Sequence, residues 1–467
     1  MAAEPVSRRP ATGIVHLGLG AFARAFVCPF VADAMAASGG DWGITGVSLR
    51  TPDTRDALRG QGWAYYAVAL TPDAPAPRRV TVLNDVLVAP EDPGAVLDVL
   101  CDPRVKIVSL TVTEKGYCHD PATGALNPDH PDIRHDLTDA HPVSAPGYLV
   151  RALQRRRDAG LRPSTAMSCD NLPGNGALLR GVVLDLAARI DPALADWIAA
   201  EARFPATMVD RITPATTDAD IARVAHLTGQ HDPAPVMHEP FAQWAIEDDF
   251  VDGARPDLAA AGAEMVADVT AHERMKLRML NGAHSALAYT GYLAGHETIA
   301  DAMADPVFAA YAQRLWSEIA PTVTAPPGVS LDAYADSLRA RFANPAIRHR
   351  TWQIAMDGSQ KLPQRLLGPL GDRLERDQPS PALCHAVAAW MRYVRGVDER
   401  GHPIDLRDPM ADRLKALASD DPDATVTALL TVRGIFPADL AARLQTPLID
   451  AARRIWRNGV RASLDTL

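Results

Sequence analysis

The chain has 467 residues, too many for one hydrophobic core, so two or three domains are expected. The formal net charge is −10 without a Lys/Arg-rich block, which argues against a nucleic-acid partner, and no apolar run reaches the ~18 residues that a membrane span needs. Five cysteines without paired spacing fit neither a zinc site nor a disulfide framework, and with no signal peptide expected, the sequence predicts a cytoplasmic protein.

The first predicted strand enters a glycine turn in the segment GIVHLGLGAFAR, which begins at Gly13. Gly18 and Gly20 would let the backbone approach a pyrophosphate at the start of a helix predicted over 22–37. Ala23 holds the position of a third glycine, so an ordinary strand–turn–helix corner is the alternative. A second strand predicted over 41–50 favours a dinucleotide site.

The end of that second strand bears on the cofactor. Asp53 follows it, where a carboxylate would accept hydrogen bonds from the ribose hydroxyls of NAD. Its distance from Gly20 exceeds the usual ~20 residues, and an acid in a turn is the competing interpretation. Arg50 could instead face the 2′-phosphate of NADP, so NADP remains open.

Several later strands are predicted to end in polar turns. The strand patterns cover 80–88, 106–113, 164–169, 204–214 and 239–250. Thr113 and Glu114 lie at the end of one strand, where open α/β sheets bind ligands. Asn171 and Asn175 follow another and could donate to a substrate oxygen, unless they only form the turn. Asp210 interrupts an apolar run, so it is either paired or part of a site.

From about residue 272 helical periodicity dominates. We therefore predict an α/β domain with a parallel-rich sheet over 1–270 and an all-α domain over 271–467, with a pocket at their boundary. The helix predicted over 271–289 carries Glu273, Lys276, Asn281 and His284. At ~100° per residue, Asn281 and His284 lie about 140° and 80° from Lys276 and Glu273 about 60° from it, so all four share one side.

These four side chains form a plausible acid–base set for an alcohol or a carbonyl, because a lysine can lose a proton, an amide can donate and an imidazole can do both. A solvated helix face is the alternative. Gly282 favours the site, since a glycine within a helix costs roughly 1 kcal/mol and often accompanies close approach of another group.

A further polar set lies in the segment DGSQKLPQR, which begins at Asp357. Lys361 and Arg365 are four residues apart, so they repel each other unless they are solvated or an anion lies between them. A substrate carboxylate is one candidate for that anion, and a carboxylate elsewhere in the chain is the other.

Together these segments resemble the mannitol dehydrogenase family, the polyol-specific long-chain dehydrogenase/reductases. The resemblance is carried by VHLGLGAFAR, SLTVTEKGY, SCDNLPGNG, FPATMVDRITPAT, EPFAQW, KLRMLNGAHS and DGSQKLPQR. It implies a metal-independent, NAD-dependent secondary-alcohol dehydrogenase with an N-terminal Rossmann-type domain and a helical C-terminal domain.

The resemblance also implies roles for the polar residues. Lys276 would be the general acid/base, and Asn171 and Asn281 would form the oxyanion hole. His284 would position the substrate oxygen, and Asp210 would support the group.

Glu273 would pass protons between the lysine and solvent. The cofactor site would include Gly18, Gly20, Phe22, Arg24 and Asp53, beside the turn at Thr113 and Glu114. The family usually has His-Arg-Ala-His after the glycine turn, whereas this chain has Ala23-Arg24-Ala25-Phe26. Cofactor binding should survive this change, but the packing beside the nicotinamide or substrate is expected to differ.

The substrate end is the least determined part of the site. The segments RHRTWQIAMDGSQKLPQR and WMRYVRGVD resemble the fructuronate reductases (D-mannonate oxidoreductases) within the family, which implies a sugar acid bound through Lys361 and Arg365. A mannitol- or arabinitol-type polyol dehydrogenase, a non-catalytic NAD-binding sensor and an S-adenosylmethionine-dependent transferase are the alternatives. A monomer or small homo-oligomer is expected.

Overall fold

The computed structural model describes residues 9–467, and the chain divides after Thr270 into two compact units. All strands of the described residues lie in the first unit. They are β1 (Thr12–Leu17), β2 (Gly43–Ser48), β3 (Tyr65–Ala69), β4 (Ala76–Val80), β5 (Leu83–Val88), β6 (Ile107–Leu110), β7 (Thr165–Ser168), β8 (Thr207–Asp210), β9 (Val236–His238), β10 (Gln243–Glu247) and β11 (Glu264–Val266).

The α-helices of this unit connect and cover the strands. They are α1 (Ala21–Ala25), α2 (Val27–Ser38), α3 (Asp53–Arg59), α4 (Pro93–Leu100), α5 (Pro131–Thr138), α6 (Ala145–Asp158), α7 (Asn175–Ile190), α8 (Pro192–Glu201) and α9 (Asp218–Thr228), with 3₁₀ turns at Glu114–Tyr117 and Val251–Gly253.

Five strands form the central sheet, in the order β5-β2-β1-β6-β7, and every neighbouring pair is parallel. Counted along the chain this is the order 3-2-1-4-5 of a Rossmann fold, and the order reverses between β1 and β6. The α/β class with a parallel-rich sheet is thus confirmed. The carboxyl ends of β1 and β6 meet at the position where such sheets bind dinucleotides.

Alternation along β1 explains why helices lie on both faces of this sheet. Val15 and Leu17 point into a core shared with α4, α6 and α7, whereas Ile14 points into a core shared with α2. Because both faces are buried, the strands read as nearly continuous apolar runs, which made them recognisable in the sequence.

One stretch that the sequence predicts as a single strand belongs to two strands, which lie in different sheets. The run 80–88 contains the end of β4, which pairs antiparallel with β3, and all of β5, which pairs parallel with β2. A pattern of alternating apolar residues predicts extended backbone but not the sheet it joins. The other small sheet has the order β11-β10-β8 and places Asp210 opposite Gln243.

The helix predicted after the glycine turn is interrupted at Phe26, which separates α1 from α2 (φ −126°, ψ −69°). The stretch Ala21–Ser38 is the one helical stretch of the described residues that is long and apolar enough to cross a membrane. The sequence analysis looked for a continuous apolar run and found none of that length, whereas this stretch qualifies by its mean hydropathy. Phe26 and Phe30 pack against the buried Trp244, as in a core helix of a globular domain.

The second unit contains helices alone among its described elements, which confirms the predicted all-α half. They are α10 (Thr270–Met275), α11 (Ala283–Ala294), α12 (Ile299–Ala304), α13 (Pro306–Ile319), α14 (Leu331–Phe342), α15 (Thr351–Ala355), α16 (Gly358–Leu362), α17 (Gly368–Glu375), α18 (Pro381–Tyr393), α19 (Ala411–Leu417), α20 (Pro422–Leu429), α21 (Ala438–Asn458) and α22 (Val460–Leu464), with a 3₁₀ turn at Ala320–Thr322. Helix α18 packs between α11 and α21 in the core.

Two π-helical segments interrupt this unit, and they contact each other. Lys276–Gly282 connects α10 to α11, and Pro363–Leu367 connects α16 to α17. Such segments are rare and occur frequently at functional sites. The indole of Trp316 donates to the carbonyl oxygen of Met279 (3.0 Å) and so satisfies an acceptor of the first segment.

Gly282 lies where the two π segments meet. A Cβ atom built on it would stand 2.8 Å from the carbonyl oxygen of Arg365, a backbone atom that cannot rotate away. Gly282 therefore permits the close approach of another group that the sequence analysis expected, and that group is the backbone at Arg365.

Gly282→Ala is expected to lower the free energy of unfolding by about 1–3 kcal/mol, because the added methyl group must separate the two segments. Gly371→Ala is the matched control: Gly371 lies within α17, its added methyl group would meet only Leu440 Cδ1 at 3.9 Å, and the change should stabilise by up to about 1 kcal/mol. Urea titration measures both, and equal effects would contradict the packing argument.

Candidate active site

A cavity of about 690 Å³ opens at the carboxyl ends of β1, β2 and β6 in the first unit. Its lining comes from the turn after β1, the segment after β2, the turn after β6 and two segments that flank α5. These residues are Gly18, Leu19, Gly20, Ser48, Leu49, Arg50, Thr51, Thr54, Thr111, Val112, Thr113, Lys115, Gly116, Cys118, His130, Asp132, Val143, Ser144 and Ala145.

The glycine turn fits a dinucleotide. Gly18 has φ +85°, and a Cβ atom there would stand 2.3 Å from the carbonyl oxygen of Thr111. Gly20 is exposed, and a Cβ atom there would meet only Gly18 O at 3.9 Å, so a ligand can approach its backbone. The first glycine thus permits the turn, and the second leaves room for a pyrophosphate.

Buried His16 stabilises the glycine turn through Thr111. Thr111 Oγ1 donates to the carbonyl oxygen of Gly18 (2.8 Å), so His16 Nε2 donates to Thr111 Oγ1 and Nδ1 accepts from Ser109 Oγ (both 2.8 Å). Burial lowers the pKa of His16 to about 4, so the ring is neutral and can play both roles. The sequence analysis missed His16 because a lone histidine in an apolar strand carries no pattern.

Asp170 holds the opposite wall. Its carboxylate accepts hydrogen bonds from the backbone N–H groups of Val112 and Thr113 (both 2.9 Å) and from the hydroxyl of Tyr117 (2.8 Å). Thr113 has φ +63°, an unusual conformation for a β-branched residue that persists where the surroundings impose it. Asp170 therefore fixes the turn after β6 that lines the cavity.

Asp170→Asn is expected to raise the Kd for NADH about tenfold, because the amide nitrogen that replaces one carboxylate oxygen faces a donor instead of accepting from it. Fluorescence titration with NADH measures the change. Asp185→Asn is the matched control, since Asp185 forms a solvent-accessible ion pair with Arg189 one turn along α7. An unchanged Kd for Asp170→Asn would refute the role of Asp170.

Three of the residues predicted at the cofactor site line the cavity: Gly18, Gly20 and Thr113. Phe22, Arg24, Asp53 and Glu114 do not.

Arg24, predicted at the cofactor site, lies inside the first unit. Its guanidinium is buried within the domain, where Nη1 donates to the carbonyl oxygen of Ala234 (2.5 Å) and lies beside the ring of Tyr65. The side chain leaves the turn on the side that faces the core, a direction that spacing along the sequence does not reveal. Its neighbours Ala23 and Phe26, which stand in place of the family's usual histidines, are also fully buried.

Cys118 lies beside His130 and Asp132 at the cavity, with potential metal-ligating atoms within 4.8 Å of one another. The cysteine spacing did not predict this group. Burial, together with the carboxylate charges of Asp132 and Asp136, raises the pKa of the Cys118 thiol to about 12, so the thiol is protonated at neutral pH.

Two of the predicted catalytic residues belong to the first unit. Asn171 is exposed in the turn directly after Asp170, and Asp210 is buried at the end of β8. Asn175 is structural, since its amide donates to the carbonyl oxygens of Asp170 and Thr207 and accepts from the Thr207 N–H (each 2.9 Å). The turn interpretation is thus correct for Asn175.

The other predicted catalytic residues belong to the second unit, on or near its first π segment. Lys276 is only 8% exposed, and Glu273 and Asn281 are half-buried, which argues against a fully solvated face. Hydrogen bonds of a π-helix connect residues five apart, so Lys276 and Asn281 lie about one turn apart and not about 140° apart as on an α-helix.

His284 lies at the start of α11, stacked on Phe342 (ring centroids 4.2 Å apart) with the edge of His349 at 5.0 Å. Burial and the positive charges of Arg341 and Arg365 hold its pKa well below the ordinary value. The ring is therefore neutral at pH 7 and can both donate to and accept from a substrate oxygen.

Lys361 and Arg365 are half-buried, and neither forms an ion pair with a described residue. Lys361 Nζ donates to the carbonyl oxygens of Met356 (2.6 Å) and Ile354 (3.4 Å), and Arg365 Nη1 donates to Ser285 Oγ (3.1 Å). Burial, and then repulsion by Arg365, lowers the pKa of Lys361.

Two further groups lie close to these cations. Tyr289 is fully buried, and its hydroxyl has no hydrogen-bond partner in the described structure. Burial raises the pKa of this hydroxyl, and the positive charge of Arg365 partly offsets that rise. His349 Nδ1 is likewise buried without a partner among the described residues, and burial, followed by the positive charge of Lys361, lowers the pKa of that ring to about 4. The sequence analysis missed both because Tyr289 resembles a core residue and His349 lies in the charged run RHR.

Two family models together match most of the chain. The mannitol dehydrogenase Rossmann domain model matches residues 12–260, and the mannitol dehydrogenase C-terminal domain model matches residues 268–453. The chain is 47% identical to the D-mannonate oxidoreductase of Escherichia coli, over 91% of this chain and 89% of that protein.

It is also 38% identical to the mannitol 2-dehydrogenase of Aspergillus fumigatus, over 97% of this chain and 92% of that protein. The structure of Pseudomonas fluorescens mannitol 2-dehydrogenase with NAD and D-mannitol superposes with a TM-score of 0.84 at 36% identity, covering 98% of this chain and 94% of that one. The Rossmann domain and this NAD complex support NAD binding. The chain therefore belongs to the mannitol dehydrogenase family and is an oxidoreductase of that family.

Proposed function

We propose that this oxidoreductase interconverts a keto sugar acid and its hydroxy acid, of the D-fructuronate/D-mannonate type, with NAD(H). The observation that carries the proposal is the pair Lys361 and Arg365, two half-buried cations without an ion pair among the described residues. A substrate carboxylate would supply the countercharge that such cations require. The relative named D-mannonate oxidoreductase supports the same substrate class.

Bound NADH would supply the hydride for the carbonyl carbon. Lys276 would donate a proton to the carbonyl oxygen, a role typically worth 10²–10⁴-fold in rate. Asn171 and Asn281 would donate hydrogen bonds to that oxygen as negative charge develops, each worth ~3 kcal/mol.

The remaining residues would serve this proton transfer. His284, held neutral by its surroundings, would position the oxygen that changes protonation. Asp210 would support the group, and half-buried Glu273 would return protons from solvent to Lys276. In the oxidising direction Lys276 would act as the base.

A substrate panel with NADH tests the proposal: fructuronate, tagaturonate, fructose and xylulose. The expected result is a kcat/KM for one of the two acids at least about 100-fold above that for either neutral ketose, because two charge-assisted contacts are lost without the carboxylate. A neutral ketose as the best substrate would overturn the proposal.

That outcome would favour a mannitol- or arabinitol-type polyol dehydrogenase. The relatives named mannitol 2-dehydrogenase support this second candidate at 36–38% identity. No turnover of any ketose, with NADH binding intact, would favour a sensor.

A further inference from the structure

The acidic residue expected to select NAD does not reach the cavity. Asp53 is the first residue of α3, and its exposed carboxylate accepts a hydrogen bond from the hydroxyl of Thr51 (2.8 Å). Thr51 and Thr54, on either side of it, line the cavity. These two threonines therefore border the ligand space where a ribose-binding carboxylate was expected, and the Thr51 hydroxyl is already bound to Asp53.

Arg50 belongs to the same wall of the cavity, between Thr51 and the end of β2. It lines the cavity two residues after Ser48, is exposed, and makes no hydrogen bond or ion pair with any described residue. Nearby Arg55, in contrast, is committed to Asp56 and Glu91. Arg50 is thus a cation available to a ligand of this cavity.

The charge of the lining favours an anion here. Arg50 and Lys115 are cationic, and Asp132 is the one carboxylate among the lining residues. Asp132 does not come within ion-pair distance of Arg50, and it lies beside His130 and Cys118. The lining therefore carries a net positive charge before any ligand binds.

In Rossmann domains an acid after the second strand binds the 2′-hydroxyl of NAD, whereas an arginine there accommodates the 2′-phosphate of NADP. We propose that Arg50, together with the hydroxyl of Thr54, forms a 2′-phosphate subsite, so that the protein binds NADPH as well as NADH. The proposal concerns the dinucleotide site of the first unit and does not depend on the sugar substrate.

Fluorescence titration of the full chain with NADPH and NADH, without sugar, tests the subsite. The wild type should bind NADPH within about tenfold of NADH, and Arg50→Ala should weaken NADPH binding by about tenfold or more, the size of a lost charge-assisted contact, while NADH changes less than about threefold. Arg59→Ala is the matched control, an exposed arginine of α3 that does not line the cavity, and should alter neither.

Competition identifies the group recognised. Adenosine 2′,5′-bisphosphate should displace NADH from the wild type far better than 5′-AMP, and Arg50→Ala should remove that preference. The proposal is overturned if wild-type NADPH binding is more than about 100-fold weaker than NADH binding, or if Arg50→Ala weakens both equally. It is also overturned if Asp53→Asn improves NADPH binding while Arg50→Ala changes nothing.

Discussion

Lys276→Ala is expected to reduce kcat for ketone reduction by about 10²–10⁴-fold and to leave the Kd for NADH nearly unchanged. The large loss follows because Lys276 is the one lysine in the described stretch from α10 through α11. Water is a poor substitute for a positioned proton donor. NADH affinity should persist because the glycine turn and the cavity belong to the first unit. Steady-state kinetics and NADH fluorescence measure the two effects separately.

Two controls separate proton transfer from damage to the fold. Lys415→Ala removes an exposed lysine of α19 in the same unit and should leave kcat unchanged. Small primary amines added to Lys276→Ala should restore part of the rate, increasingly with the basicity of the amine, because they can enter the space of the missing side chain. Activity of Lys276→Ala within about threefold of the wild type would contradict the assignment.

The architecture was predictable because local pattern and burial coincide. Strands β6 and β7 are short and buried on both faces, and β6 begins with two β-branched residues, so they stand out without any knowledge of their partners. The antiparallel pair β3–β4 was missed, since β4 is largely exposed and its residues Pro77, Arg78 and Arg79 do not resemble a strand. Pairing with a neighbour, which is invisible in the sequence, makes it one.

A site residue was predictable only where its chemical type suggests a role and its side chain or backbone also faces the cavity. Gly18 carries its own conformational signal, whereas Arg24, six residues later, faces the core because the helix turns its side chain away from the cavity. The π segment at Lys276 could not be recognised, because its additional residue per turn depends on contacts with Arg365 and Trp316 from distant parts of the chain. Residues such as Asp170 act through backbone groups and leave no motif of their own.

Replacing Lys361 and Arg365 by glutamine is expected to raise the KM for fructuronate by about 10–100-fold for each single change, and to leave the KM for fructose within about twofold. Lys361 uses two of its three N–H donors on Ile354 and Met356, so one remains for a carboxylate. Arg365 uses one donor on Ser285 and retains a second edge for bidentate contact. Steady-state assays with both sugars measure the difference.

The pH profile supplies a test that a loss of packing would not mimic. Because burial and Arg365 lower the pKa of Lys361, the wild-type KM for the acid should rise with pH from a lower pH than an exposed lysine would give. Lys361→Gln should lose this rise, since glutamine does not titrate. Arg413→Gln on exposed α19 is the control and should keep the wild-type profile. Equal effects of Lys361→Gln on the acid and on fructose would show that Lys361 supports the fold and not the carboxylate.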